Sequence, residues 1–253
     1  MRAVISLASG LVALAAAGPL AALAAETSQS RAGAASTPAQ AYIRGAFEPE
    51  FEPPAPGTYA LPVVDTVRDH HLVDSEGARV SLFEAKKGRV AILAFIYTAC
   101  GEASGCPLAT AVLRRVDRAL GADPDLAPKV ALLTVSFDPE RDTPEHLALV
   151  RRAQAPMSTW RFLTGDGDEE LQALLEDFNQ PVARLTYPDG AWSGLFRHLL
   201  KVYLLDTQDR VRNIYSVGFL NPALLLNDVR TLLMQEEGVS SEPRPDGRGS
   251  ARD

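Results

Sequence analysis

Cysteine is nearly absent from this chain. Two residues in 253 carry thiols, and both fall in one segment, Thr98-Ala99-Cys100-Gly101-Glu102-Ala103-Ser104-Gly105-Cys106-Pro107, so thiol chemistry has a single place to occur. Methionine is equally scarce: Met1, Met157 and Met234 form no methionine-rich metal tract. Positive charge is in deficit, with 25 Lys and Arg against 32 Asp and Glu and a formal net charge of −7. No dense Lys/Arg stripe offsets this, which argues against nucleic acid as a partner. Only four histidines are available as imidazole ligands: His70, His71, His146 and His198.

What is present is strongly zoned. Met1 and Arg2 lead into Ala3 to Ala17, nearly all Ala, Val, Leu and Ile, followed by Gly18-Pro19 and the small-residue stretch Ala22-Leu23-Ala24. This resembles a secretory signal peptide with its A-x-A cleavage rule. The apolar stretch to Ala25 also reaches the roughly 20 residues needed to span a bilayer, so a retained amino-terminal anchor over residues 1–25 is the alternative. Either reading exports the remainder, to the periplasm or to a tether on the outer face of the inner membrane, where a cysteine pair can be oxidised. Residues 26–59 are rich in Ala, Ser, Pro and Glu, with five of the eighteen prolines between Pro38 and Pro56. Such a stretch buries too little apolar surface to offset its ordering entropy and reads as a tether. Residues 237–253 read as a disordered tail. Between them, residues 60–236 suffice for one domain with a proper core.

Within that domain the apolar periodicity alternates. Strand-like runs at Leu61–Val64, Val67–Val73 and Ala78–Leu82 precede the apolar run Val90–Tyr97, which reads as a buried strand. A helix is expected from Pro107 to Leu120, a strand over Val130–Phe137, a helix over Pro144–Ala155, a strand over Trp160–Thr164 and a helix over Asp168–Phe178. The runs Leu199–Asp206 and Val211–Val217 form a hairpin, and a last helix spans Pro222–Gln235. Thr143-Pro144 and Asn221-Pro222 each place a capping side chain before a proline at the first helical position. Strand–helix–strand units followed by an antiparallel hairpin and a helix predict an α/β, thioredoxin-like layered fold with a central mixed sheet flanked by helices. The two thiols then lie where a central strand ends and a helix begins, and open α/β sheets bind and react at such ends.

Four separated segments give a specific resemblance. Ile96-Tyr97-Thr98-Ala99-Cys100 with Cys106-Pro107 looks like the two ends of the metal loop of Sco/SenC copper proteins. Val135-Ser136-Phe137-Asp138-Pro139-Glu140-Arg141-Asp142-Thr143-Pro144 resembles that family's strand and turn, and Trp160-Arg161-Phe162-Leu163-Thr164-Gly165 agrees as well. Arg197-His198 stands five residues before Tyr203, where the family has its ligand histidine. The match runs from about Leu61 to Leu233, with the segments in family order. One departure is plain: the family's cysteines are separated by three residues, whereas five intervene here, and Gly101 and Gly105 would let the longer loop fold back.

The resemblance implies copper, Cu(I) or Cu(II), held by Cys100, Cys106 and His198. It also implies delivery to, or thiol reduction of, a cuproenzyme apoprotein, foremost a cytochrome c oxidase subunit. Thiolates are soft ligands suited to Cu(I), and an added imidazole suits Cu(II). Cys106, in the first turn of a helix, is expected to have its thiolate favoured by the helix dipole. Two other readings of the same pair stay open. One is a plain structural disulfide. The other is a metal-free thiol-disulfide oxidoreductase or peroxidase-like enzyme in which Cys100 and Cys106 act as redox thiols.

The remaining polar residues read as structural. His70 and His71 are adjacent in a strand and point to opposite faces, which argues against a shared metal. His146 lies early in a surface helix and is expected to be solvated. Asp138, Glu140, Arg141 and Asp142 read as salt-bridging and helix-capping residues, and Trp160 and Trp192 as packing residues. The segment Asn179–Phe196 carries no motif, but it leads into His198 and is expected to form a flap over the site.

Overall fold

The computed structural model describes residues 51–241. Ten strands and five α-helices follow one another in the order β1 (Asp65–Thr66), β2 (His71–Asp74), β3 (Arg79–Ser81), α1 (Leu82–Lys86), β4 (Val90–Ile96), α2 (Cys106–Gly121), β5 (Val130–Ser136), α3 (Pro144–Gln154), β6 (Trp160–Gly165), α4 (Asp168–Asp177), β7 (Val182–Thr186), β8 (Trp192–His198), β9 (Val202–Leu205), β10 (Arg210–Tyr215) and α5 (Pro222–Ser241). Eight strands make one sheet in the order β1-β10-β9-β4-β5-β6-β2-β3, while β7 and β8 pair only with each other. The expected thioredoxin-like mixed sheet is therefore present.

The sheet's centre explains its own stability. Strands β4, β5 and β6 are parallel, in register from Val90 opposite Val130 and from Leu132 opposite Trp160. Every residue of β4 and β5 is buried. Such strands, covered on both faces, are continuous apolar runs rather than alternating ones. β9 closes against β4 in the antiparallel sense, setting Tyr203 opposite Leu93. Trp160 spends its one polar atom internally, donating from Nε1 to Thr134 Oγ1 at 2.9 Å.

Local chemistry ends the elements as expected at most points. Thr143 Oγ1 accepts from His146 N at the start of α3, and Asn221 Oδ1 accepts from Ala223 N at the start of α5. Helix α1 was not anticipated. Its signal was the capping box Ser81-x-x-Glu84, in which Ser81 Oγ accepts from Glu84 N and Glu84 Oε2 accepts from Ser81 N.

Three expectations about extent are corrected. Leu61–Val64 is not a strand; only Asp65–Thr66 pairs with β10, after a single backbone bond from Val64 N to Val211 O. The stretch 51–59, assigned to the tether, is packed on the last helix where it is described: Gly57 N donates to Thr231 Oγ1, Asn227 Nδ2 to Pro54 O, and Tyr59 to buried Asp228. Helix α5 runs to Ser241, past Gln235 and into the expected tail. The leader or anchor at residues 1–25, the tether up to residue 50 and the tail from residue 242 lie outside the described residues. Among the described residues no helix is long and apolar enough to cross a membrane.

Candidate metal centre

Strand β4 delivers the chain to the carboxyl edge of the sheet, where Tyr97 closes the core and Thr98 begins the cysteine loop. The loop's entrance is fixed by one buried carboxylate. Asp142 Oδ2 accepts from Thr98 N at 2.9 Å and from Ser136 Oγ at 2.5 Å, and Oδ1 accepts from Thr98 Oγ1. Asp142 is fully buried, so these donors are what makes its burial tolerable. It caps no helix; that part of the expectation for Asp142 is replaced by a loop-anchoring role, while Thr143 does the capping. His146 is not simply solvated, since its Nε2 lies 3.1 Å from Thr98 Oγ1.

The five residues between the cysteines close in a tight turn. Gly105 N donates to Glu102 O at 2.9 Å, and Ser104 Oγ donates to Glu102 Oε1 at 2.8 Å. Gly105 is the N-cap of α2, which places Cys106 and Pro107 in its first turn. A Cβ on Gly105 would stand 3.2 Å from Glu102 O and 3.4 Å from Cys100 Sγ. Glycine there permits the loop to close on the sulfur. Gly101, by contrast, has open space around it and needs no glycine for that purpose.

His198 arrives from another direction. It is the last residue of β8 and sits opposite Val182 in the β7–β8 ribbon. The ribbon is the flap expected over Asn179–Phe196, built as a hairpin around Tyr187-Pro188-Asp189-Gly190, with Gly190 at φ +86°. The imidazole packs on Tyr97 and Phe137, at ring-centroid distances of 5.8 and 5.1 Å. Phe196, two residues earlier, packs edge-on against both of those rings.

These three elements bring one donor atom each from Cys100, Cys106 and His198 to within 4.8 Å of one another. Cys106 Sγ lies 3.7 Å from His198 Nε2. Both cysteines are free thiols, with Cys100 9% and Cys106 3% exposed. The hydrogen bond from the Cys106 thiol holds Cys100 well below the usual thiol range, aided by His198 and by the backbone N–H groups of Cys106 and Glu102. Cys106 is pushed up by donating that bond and by its burial. The expectation for Cys106 is thus reversed. The amide at the start of α2 serves the neighbouring sulfur, so the surroundings favour the thiolate of Cys100 over that of Cys106.

The other histidines stand apart from this group. His70 is buried with Nε2 2.7 Å from Asp177 Oδ2, and His71 reaches Glu170 at 3.8 Å. Asp138, Glu140 and Arg141 form ion pairs, as expected of them: Asp138 with Arg141 and Glu140 with Arg184. Sequence reasoning missed the ring of Tyr97, Phe137 and Phe196 around His198, because no periodicity marks it. Only the aromatic side chains flanking each motif gave a hint.

Comparison with known proteins decides the family. The SCO1/SenC family model matches residues 61–234. The chain belongs to the SCO1/SenC family. Comparison with curated protein sequences gives no match. Among solved structures, ScoI of Arabidopsis thaliana with copper bound aligns with a TM-score of 0.56 at 20% identity, over 67% of this chain and 99% of that one. Apo Sco1 of Thermus thermophilus aligns at 0.54 and 25% identity, over 72% and 95%. BsSco, described as a member of the Sco family of cytochrome c oxidase assembly proteins with a disulfide switch, aligns at 0.52 and 27% identity, over 68% and 95%. In this SCO1/SenC chain five residues separate Cys100 from Cys106, and both thiols converge with His198.

Proposed function

We propose that this protein binds one copper ion through Cys100, Cys106 and His198 and passes it to the apoprotein of a cuproenzyme, a cytochrome c oxidase copper centre being the foremost target, on the exported side of a membrane. The observation that carries this reading is the convergence of two sulfurs and one imidazole nitrogen within 4.8 Å, each from a different element of the fold. Two soft donors fit Cu(I), and the borderline imidazole extends the set to Cu(II). The ligands must shed protons to bind, and Cys100 is already poised to do so. Family membership, and relatives whose structures hold copper, support the same choice of metal.

The test is a titration of the reduced protein with Cu(I) and Cu(II), followed by absorption. One equivalent of Cu(II) should produce thiolate charge-transfer bands that vanish in Cys100→Ser and in Cys106→Ser. Bands that survive both substitutions would remove the assignment.

A second reading is favoured by the closeness of the two sulfurs, within 4.8 Å, with Cys100 shifted down and Cys106 shifted up from the ordinary thiol range. A thiolate next to a thiol is the arrangement a dithiol reductant needs: Cys100 attacks a partner disulfide sulfur and expels one partner thiolate, then Cys106 loses its proton, attacks the Cys100 sulfur and releases the second. The protein ends with a Cys100–Cys106 disulfide and the partner with two thiols.

A further inference from the structure

The ribbon that carries His198 hydrogen-bonds to no strand of the main sheet. Its base is tied by Gln180 Nε2, which donates to Leu199 O at 2.8 Å. Its body is held by a stack of side chains outside the copper ligands. The indole of Trp192 is in contact with two guanidinium groups, those of Arg141 and Arg184, each 4.6 Å from the ring centroid. Each arginine is in turn paired with a carboxylate of the turn between β5 and α3, Arg141 with Asp138 and Arg184 with Glu140. Arg141 also donates from Nη1 to Gly194 O at 2.8 Å. Gly194, at φ +82° beside the bulge of the ribbon, presents that carbonyl. From Trp192 the contact passes to Phe196 at 5.5 Å, then to Tyr97 and Phe137, the two rings on which the His198 imidazole rests.

We propose that Arg141 and Trp192 are positioning residues for His198: their stack holds the β7–β8 ribbon against the Asp138–Asp142 turn and thereby decides whether the imidazole stands at the two sulfurs. The inference rests on the assignment of Cys100, Cys106 and His198 as copper ligands. Its physical basis is that cation–π contacts, partly desolvated and joined to ion pairs, are strong enough to bias a small ribbon that lacks a backbone ladder to its support. The two oxidation states then respond differently. Cu(I) is satisfied by two thiolates on the rigid side of the site, whereas Cu(II) depends on the imidazole. Loosening the stack therefore weakens Cu(II) selectively and raises the copper reduction potential.

The experiment compares wild type with Arg141→Leu, Trp192→Leu and Trp192→Phe. In the metal-free protein, hydrogen exchange of the amides of residues 192–198 should quicken about tenfold in both leucine variants while β4 stays protected. With copper, those variants should lose about tenfold in Cu(II) affinity and less than about twofold in Cu(I) affinity. Trp192→Phe keeps an aromatic face for Arg141 and should restore most of both. Unchanged exchange in β8, or equal losses for Cu(I) and Cu(II), would overturn the proposal. A wild-type protein that takes up no copper defeats the copper reading instead, while the metal-free exchange still decides whether Arg141 and Trp192 hold the ribbon.

Discussion

The two halves of the candidate site are built to different standards of rigidity. Cys100 and Cys106 sit between β4, a strand buried along its whole length, and α2, whose apolar face packs on the same core. Their loop is pinned to the fully buried Asp142 at its first residue, Thr98. His198 stands at the end of a two-stranded ribbon whose residues are mostly half-buried or exposed, including Leu185, Tyr187 and Leu195 at 40%, 57% and 48%. Buried, fully bonded elements open only with the whole fold, while ribbons of this kind open locally at much smaller cost. A site made of one fixed dithiol and one adjustable imidazole can hold copper tightly and still change its coordination when a partner arrives. That is the demand the proposed function places on it, which requires the bound copper to be passed on.

The largest expected effect attacks the rigid half. Leu93, fully buried in β4 opposite both Leu133 and Tyr203, should cost about 2–5 kcal/mol when cut to alanine, through lost burial and the cavity left behind. Chemical denaturation of the reduced metal-free protein measures it. A loss under about 1 kcal/mol would mean that β4 is not the frame that fixes the thiols.

The next strikes the mobile half and separates the two functional readings. His198→Ala removes a half-buried ring that no backbone ladder of the main sheet depends on, so the fold should survive. Cu(II) binding and oxidase maturation should fall by at least about tenfold, whereas much of the Cu(I) affinity and any disulfide-reductase rate should remain, because thiol exchange needs only a thiolate and a disulfide sulfur. Full rescue of oxidase activity by His198→Ala in cells lacking the protein, with loss of rescue confined to the cysteine variants, would transfer the assignment to the thiol reductase.

A third expectation concerns proton linkage within the rigid half. The depressed Cys100 pKa stabilises the fold above the unfolded thiol value of about 8.5, and that contribution is lost as pH falls through the lower folded value. The raised Cys106 pKa has the opposite sign: its contribution is complete below the unfolded value and is lost as pH rises through the folded one. The reduced metal-free protein should therefore show the ultraviolet absorbance of one thiolate well below pH 8.5, and Cys106→Ala should shift that absorbance toward the ordinary thiol range. Thiolate absorbance that follows an unperturbed thiol in the wild type would show that the two sulfurs do not share a proton.

How far the sequence could be read follows the same division. The rigid half was legible because its signals are local: a continuous apolar run at Val90–Tyr97, a proline behind Cys106, and a cap-proline pair at Thr143-Pro144. The mobile half was legible only through family spacing, which placed His198 but not the ribbon that presents it. Tyr187-Pro188-Asp189-Gly190 is a turn signal, yet its flanking strands lack clean alternation because neither face is fully buried. The misread strand at Leu61–Val64 has a related cause. Val63 and Val64 are apolar but exposed, at 46% and 52%, and Pro62 has no N–H to donate to a ladder. Asp142 was seen as a charged turn residue; that its carboxylate enters the core and holds Thr98 depends on three-dimensional proximity across 44 positions of the chain.

The smallest expected effect is the one that sharpens the comparison most. Leu195 lies in the middle of β8, apolar like Leu93, but 48% exposed where Leu93 is fully buried. Burial, rather than side-chain type or strand assignment, sets the cost of truncation, so Leu195→Ala should change stability by no more than about 0.5 kcal/mol. The same denaturation experiment used for Leu93→Ala measures it on the same scale. The denaturant slope should be unchanged, since no large surface is newly exposed or hidden. A loss above about 1 kcal/mol would mean that the ribbon unfolds together with the sheet and that the site has one rigid body instead of two unequal halves. A value near zero, beside the large loss at Leu93, leaves the imidazole on an element free to move while the thiols stay fixed.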